Sequence, residues 1–291
     1  MSKPRIALTA GDPAGIGPEI VATAAADPRV REVCEPVIYG PAEPFTGPAG
    51  RASAESGRVA YDTLVRAVRD AEAGRVQAIA TAPVSKLAFS LAGLPWKGHT
   101  DLLAHLTGAS QVAMMFWSEP LKVVLATIHI PLAAVPAALT REVVDAVITL
   151  TARELPRFGG SASPRLAMAG LNPHAGEEGV LGGEEIATLT PVLEAARSRG
   201  IDIRGPFPGD TVFLRASQGE FDAVIACYHD QGLIPVKLLA FGQSVNVTLG
   251  LPIVRTSVDH GTAYDIAGQG RADAGSMVTA VLLAARLATT R

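Results

Sequence analysis

The stretch Arg5–Ala26, RIALTAGDPAGIGPEIVATAAA, sets the pattern by which the rest of the chain is read. An apolar run over Arg5–Ala10 predicts a strand. A glycine-rich turn, Gly11 to Glu19 (GDPAGIGPE), follows it, and Glu19–Ala26 continues as a helix. The alternation recurs: apolar runs at Pro36–Tyr39, Val76–Thr81, Val112–Trp117, Val123–Ile128, Arg165–Ala169, Ala223–Tyr228 and Val245–Leu249 predict strands. Helix-like stretches at Val59–Ala73, Arg141–Phe158, Gly183–Arg199 and Ala274–Ala288 lie between several of them. Near-continuous Val/Ile/Leu/Ala strands followed by helices describe an α/β protein with a mostly parallel sheet buried on both faces. Gly40–Gly57, rich in Gly, Pro, Ala and Ser, reads as a surface loop.

Composition narrows the class. With 291 residues, 48% hydrophobic and only 18% charged, the chain can bury enough surface to exclude disorder and is long enough for one or two domains. A net charge of −3 without a basic block argues against nucleic acid as a partner. The first residues reach Asp12 before any long apolar stretch, unlike a signal peptide. Val123–Thr140 lacks Asp, Glu, Lys and Arg over a span long enough to cross a bilayer, but it contains His129, Pro131 and Pro136. It reads as a buried strand and turn, so no membrane association is expected. Cys34 and Cys227 fit two reduced thiols of a cytoplasmic protein.

In so weakly charged a chain, ionisable residues in apolar runs stand out. Of six histidines, His129 closes KVVLATIH, His229 closes AVIACYH, and His174 follows RLAMAG by a short step. Ligands of open α/β sheets bind outside the carboxyl ends of the strands, where three such imidazoles can converge on a divalent metal. Alternatively each is a separate buried or loop histidine. Glu177, Glu178 and Asp230 stand close enough in sequence to serve as ligands, as orienting partners or as general bases. Lys237 interrupts GLIPVKLLAFG and Arg255 interrupts LGLPIVRTS; each either pairs structurally or supplies an anion site, to which Asn246 adds a polar contact. The turn at Gly11–Glu19 is either a tight connection or an anion-binding helix start, and it lacks the Rossmann spacing. In GHTDLLAHL, Thr100 is placed to cap a helix beside His99.

TAGDPAGIGPEI, TAPVSK, GHTDLLA, NPHAGEEG, GDTVF, YHDQGLIPVK, VNVTLGLP and RTSVDHGTAYDIAGQG occur in this order. The series resembles the 4-hydroxythreonine-4-phosphate dehydrogenases, from Ile6 to the final helix. These enzymes belong to a broader group with the isocitrate and isopropylmalate dehydrogenase fold, which GIGPE and HGTAYDIAGQG also resemble. The resemblance implies a two-lobed α/β/α fold with a cleft: 1–110 plus 240–291 form the first lobe, on the cofactor side, and 111–239 the second, with the metal-binding histidines and dimer contacts. It implies one divalent metal ion (zinc, magnesium or cobalt) on His129, His174 and His229, and substrate contacts from His99, Thr100, Lys237, Asn246 and Arg255. NAD or NADP would lie against His260, Gly261, Thr262, Ala263 and Asp265. Asp210, Asp230 and Lys237 are the catalytic candidates. The expected partners are a small phosphorylated hydroxyacid and a second copy of the chain, in a homodimer with its active site at the subunit interface. The implied reaction oxidises the 3-hydroxyl of 4-phosphohydroxy-L-threonine, followed by decarboxylation. Related enzymes act on phosphorylated threonate or erythronate, or on aromatic cis-dihydrodiols, and a metal-dependent hydrolase is a distant alternative. Two departures stand out: the chain is short in the 40–57 region, and Asp101 follows GHT where many members carry Glu.

Overall fold

In the computed structural model, which describes residues 3–159 and 161–289, the chain divides into two compact units. One comprises Met1–Ser110 and Val245–Arg291, the other Gln111–Ser244. The return crossing at 244/245 lies a few residues beyond the 239/240 boundary read from sequence, because the helix His229–Ala240 and a turn after it belong to the second unit. The strands are β1 (Arg5–Thr9), β2 (Glu35–Tyr39), β3 (Ala78–Thr81), β4 (Ala113–Trp117), β5 (Lys122–Leu125), β6 (Leu166–Ala169), β7 (Ile203–Phe207), β8 (Ala223–Ala226), β9 (Val245–Leu249) and β10 (Arg255–Ser257).

In the first unit the strands run β2-β1-β3-β10-β9, parallel except for the β10–β9 pair. The helix Gly275–Thr289 packs its buried stripe against β1, β3, β9 and β10. Thr256 points toward it, donating its hydroxyl to Ala280 O at 2.8 Å. Alternation along β10 therefore turns Arg255 and Ser257 to the opposite face. Another helix, Ala54–Glu72, buries Ala60, Leu64, Ala67 and Val68 and packs on β1, β2 and β3.

In the second unit the order is β4-β5-β8-β6-β7, with β4 antiparallel and the rest parallel. Phe116, Val123, Leu125, Ala167, Val224 and Ala226 form a core with Val212, Phe213, Leu233 and Val236 of the two helices on that face. The helix Arg141–Glu154 packs on β4 and β5, burying Val144, Val147, Ile148 and Thr151.

Several expectations change. The 40–57 loop ends earlier than its composition suggests: Ser53 and Ser56 form a reciprocal capping box that starts a helix at Ala54. The stretch after β5 is not a buried strand and turn throughout, since 129–134 is exposed and Leu132–Ala134 forms a short 3-10 turn. Two strands had too little pattern to read: β7 (IRGPF) carries Gly and Pro, tolerated because it is the edge strand, and β10 is three residues interrupted by a cation. GLIPVKLLA is part of a helix despite Pro235. Among the described residues no helix is long and apolar enough to cross a membrane.

Gly57 sits inside the helix Ala54–Glu72 because a Cβ there would overlap the Ala88 carbonyl of the helix Lys86–Leu91. Gly57→Ala is expected to lower stability by about 2 kcal/mol, although alanine favours a helix by ~1 kcal/mol. A lowered urea-unfolding midpoint checks this.

Candidate active site

The parallel pairing of β5 with β8 places two histidines side by side. Its register, Val123↔Val224 to Leu125↔Ala226, continues past the strand ends through Ala126 N to Ala226 O (2.8 Å) and Thr127 Oγ1 to Cys227 O (2.7 Å). His129 and His229 follow directly, with ring centroids 5.4 Å apart. His229 is the first residue of its helix, and its Nδ1 lies 2.7 Å from Asp230 Oδ1. With Nδ1–H donated to this carboxylate, Nε2 keeps its lone pair for a ligand. Gly232, one turn on, lets this helix lie close to β5, since a Cβ would stand 2.7 Å from Leu125 Cδ2.

His174 stands on an unusual turn. His174, Ala175, Gly176, Glu177 and Glu178 all have φ between 42° and 82°, the left-handed region. For the four non-glycine residues this costs about 1 kcal/mol or more each. The turn is held from beneath by Glu185, only 2% exposed. Its Oε1 accepts Leu171 N (2.8 Å) and Asn172 N (2.7 Å), and its Oε2 accepts Asn172 Nδ2 (2.9 Å). Gln231 adds a second clamp, accepting Cys227 N and donating to Gly170 O, each at 2.7 Å. Sequence reasoning missed both residues; each acts on a segment made adjacent only by the β8–β6 pairing or the turn itself.

His174 lines a cavity of about 750 Å³ with Asp210, Asp230 and Gln231 on its polar side and Phe213, Ile234 and Leu238 on its apolar side. A smaller cavity, about 240 Å³, lined by His129 and His229, shares Tyr228 and Asp230 with it. Two imidazoles backed by a carboxylate suit a divalent ion as part of a donor set. The structure brings His129 and His229 together but not His174 with them: among the described residues no three His, Cys, Asp or Glu side chains converge to enclose an ion. Lys237, half-buried on the same helix as His229, lies over the Phe241 ring at 5.5 Å and lines a cavity with His229 and Asp230.

The first unit carries a separate polar cluster. Arg255 is 2% exposed, yet it forms no salt bridge among the described residues; its guanidinium donates to the hydroxyls of Thr81 and Thr248. Burial pulls its pKa down to about 9, which leaves it a cation at neutral pH. His99 Nε2 and Asn246 Oδ1 are buried without a hydrogen-bond partner among the described residues. His99 as a residue is half-buried, and burial first and the Arg255 charge second hold its pKa well below the ordinary 6.5. A buried cation beside unpartnered polar atoms has the chemistry to receive an anion with hydrogen-bonding groups. Thr100 is not the cap expected from sequence. The helix starts at His99 with Gly98 as its N-cap, and the Asp101 carboxylate accepts Lys97 N.

The turn Gly11–Glu19 is not an open anion site, because the loop His260–Asp265 is seated on it. Ile16 N donates to Thr262 O (3.0 Å), a Cβ on Gly15 would stand 2.8 Å from that oxygen, and Tyr264 Oη donates to Asp12 Oδ2 (2.6 Å). His260, Gly261 and Asp265 stay exposed, and Ala263 adopts φ 42°.

Residues 19–284 match the family model described as pyridoxal phosphate biosynthetic protein PdxA. The chain belongs to this family. A 4-hydroxythreonine-4-phosphate dehydrogenase of Desulforapulum autotrophicum is 44% identical, covering 99% of this chain and 96% of its own length. A D-threonate 4-phosphate dehydrogenase of Salmonella typhimurium is 42% identical over 99% of this chain and all of its own. The crystal structure of a Klebsiella pneumoniae 4-hydroxythreonine-4-phosphate dehydrogenase superimposes with a TM-score of 0.90 at 40% identity, covering 98% of each chain. A β-decarboxylating dehydrogenase of Thermococcus kodakarensis shares the fold, with TM-score 0.57 at 17% identity over 97% of this chain and 82% of that one. The PdxA-family chain is thus an oxidoreductase of the dehydrogenase type.

Two outcomes are expected from this geometry. Glu185→Ala strands three N–H groups and releases the left-handed turn, so it should cost ~3 kcal/mol or more and speed amide exchange over 171–178; unfolding and hydrogen-exchange measurements check both. His99 should sensitise the fold to acid. Below about pH 6.5 the unfolded imidazole takes up a proton that the folded one refuses, so this contribution is complete above that pH and erodes below it. His99→Asn should therefore lose less of its urea midpoint between pH 7 and pH 5.5 than the parent protein does.

Proposed function

We propose that this enzyme oxidises the 3-hydroxyl of 4-phosphohydroxy-L-threonine with NAD or NADP and one divalent metal ion, and that the β-keto acid formed then loses carbon dioxide, within pyridoxal phosphate biosynthesis. The observation that carries this reading is Arg255: a buried cation held by neutral hydroxyls keeps its charge for a substrate phosphate or carboxylate. The unpartnered Nε2 of His99 and Oδ1 of Asn246 meet the hydroxyl and amine of such a substrate, with Thr100 beside them. His129 and His229 would supply two donors to the ion (zinc, magnesium or cobalt), with Asp230 orienting the His229 ring, and His174, which stands apart from the pair, would have to close on it as the third. A divalent ion held there would supply polarisation of the substrate oxygen, and a nicotinamide would supply the hydride acceptor. Asp210, exposed on the cavity wall near His174, is positioned to receive the hydroxyl proton, and Lys237 supplies a second cation. The loop His260–Asp265, fixed on the glycine turn with His260, Gly261 and Asp265 exposed, would be the seat for NAD or NADP.

A homodimer with its active site at the interface is part of this reading. Ile234 and Leu238 on the helix that starts at His229, and Phe241 just past its end, are exposed, Leu238 by 80%, and burial against a second copy would cover them. The buried free thiols of Cys34 and Cys227 suit the cytoplasm. A second reading, oxidation of phosphorylated threonate, draws on the 42%-identical relative of that name: threonate differs by a hydroxyl in place of the amine, and the Arg255 site serves both.

NADH or NADPH formation across a panel of 4-phosphohydroxy-threonine, phosphothreonate and phosphoerythronate tests the proposal. Turnover is expected with the first, abolished by chelator and restored by metal. Preference for phosphothreonate would replace the substrate, and metal-independent turnover would overturn the mechanism. His174→Ala should lose bound metal while remaining folded.

A further inference from the structure

Arg255 is oriented by a hydrogen-bond chain whose protons can be counted. Its Nε and Nη2 both donate to Thr81 Oγ1, at 3.2 and 2.9 Å, and its Nη1 donates to Thr248 Oγ1 at 2.9 Å. A hydroxyl has one donor and two acceptor sites. Thr81 Oγ1 receives the guanidinium fork on its acceptor sites, so its single proton must go elsewhere. Two acceptors lie within reach, Ser257 Oγ at 2.9 Å and the Thr256 carbonyl at 3.4 Å, and the shorter contact to Ser257 takes it, while Ser257 Oγ donates back to Thr81 O at 3.1 Å. The register explains why these groups meet: Ser257 pairs with Thr81 across β10–β3 and with Asn246 across β10–β9, so Thr81, Asn246, Thr248, Arg255 and Ser257 share one sheet face. Thr81, Thr248 and Ser257 are all buried.

We propose that Thr81 is a positioning residue for the anion site: its hydroxyl, fixed by Ser257, sets the plane of the Arg255 guanidinium without neutralising it. A carboxylate in the same place would orient the fork equally well but cancel the charge the substrate needs. Of the five guanidinium N–H groups, three are taken by the two threonines, and one on each Nη remains for an incoming phosphate or carboxylate oxygen. The inference rests on the reading of Arg255 as the substrate's anion contact, and it implies a ligand with full negative charge at that end.

The test uses the full chain with its metal and nucleotide, and inorganic sulfate as a competitive probe. Thr81→Val keeps the shape and removes the hydroxyl; Thr81→Ser keeps the hydroxyl. Thr81→Val should raise the sulfate inhibition constant and the hydroxyacid KM by about 10- to 100-fold, leaving kcat and the nucleotide KM within about 3-fold. Thr81→Ser should recover sulfate affinity to within about 3-fold of the parent. Sulfate-induced stabilisation against heating, read without turnover, should follow the same order. If Thr81→Ser is as impaired as Thr81→Val, packing rather than the hydroxyl is responsible and the proposal fails. If Arg255→Gln weakens sulfate binding but Thr81→Val does not, the positioning role alone is overturned. If Arg255→Gln leaves sulfate binding unchanged, the anion site and the positioning role fall together.

Discussion

Parallel strands covered by helices on both faces leave little room for chemistry within the sheet. Backbone N–H and C=O groups are consumed by the ladder and both faces are packed, so ligand-binding groups collect where strands end. In the second unit this constraint acts directly: the β5–β8 ladder, extended by Ala126 and Thr127, delivers His129 and His229 as neighbours although they are far apart in sequence. In the first unit it acts through the register of β3, β9 and β10, which gathers four polar side chains around one guanidinium.

Both clusters carry a cost that their surroundings offset. A desolvated arginine without a carboxylate partner is unfavourable, and its pKa is drawn down accordingly; hydroxyl acceptors recover part of that cost while preserving the charge. The left-handed turn bearing His174 is likewise unfavourable by itself. It persists because one buried carboxylate, Glu185, satisfies three N–H groups that would otherwise be stranded. Such departures from local preference are expected where binding groups must be held in place. The same Glu185 adds its charge to burial in pushing the Cys227 thiol pKa up, which keeps that cysteine an inert core residue.

Much of the fold was legible in hydrophobic periodicity: β9 was read to the residue, and the longer helices to within a few residues except at the capped start of Ala54–Glu72. What escaped had a physical reason. The Gly and Pro of β7 and the lone cation of β10 hid the apolar pattern, Pro235 hid a helix, and the Ser53–Ser56 box lay within loop-like composition. At the candidate site, the histidines and Arg255 stood out as ionisable residues in apolar runs. Thr81, Thr248, Ser257, Gln231 and Glu185 did not, because nothing local separates one hydroxyl, amide or carboxylate from another that holds a candidate side chain or its turn in place.

By itself, then, the sequence determined the α/β class, the candidates for binding chemistry and, through its motifs, the family. Periodicity and side-chain type are local properties, and a linear string carries them intact. Strand register decided that His129 meets His229, and that Thr81 takes the Arg255 fork. The path of the turn decided that His174 stands apart from that pair. These are relations between distant segments, set by hydrogen-bonded pairing and close packing in three dimensions, and only the tertiary structure contains them.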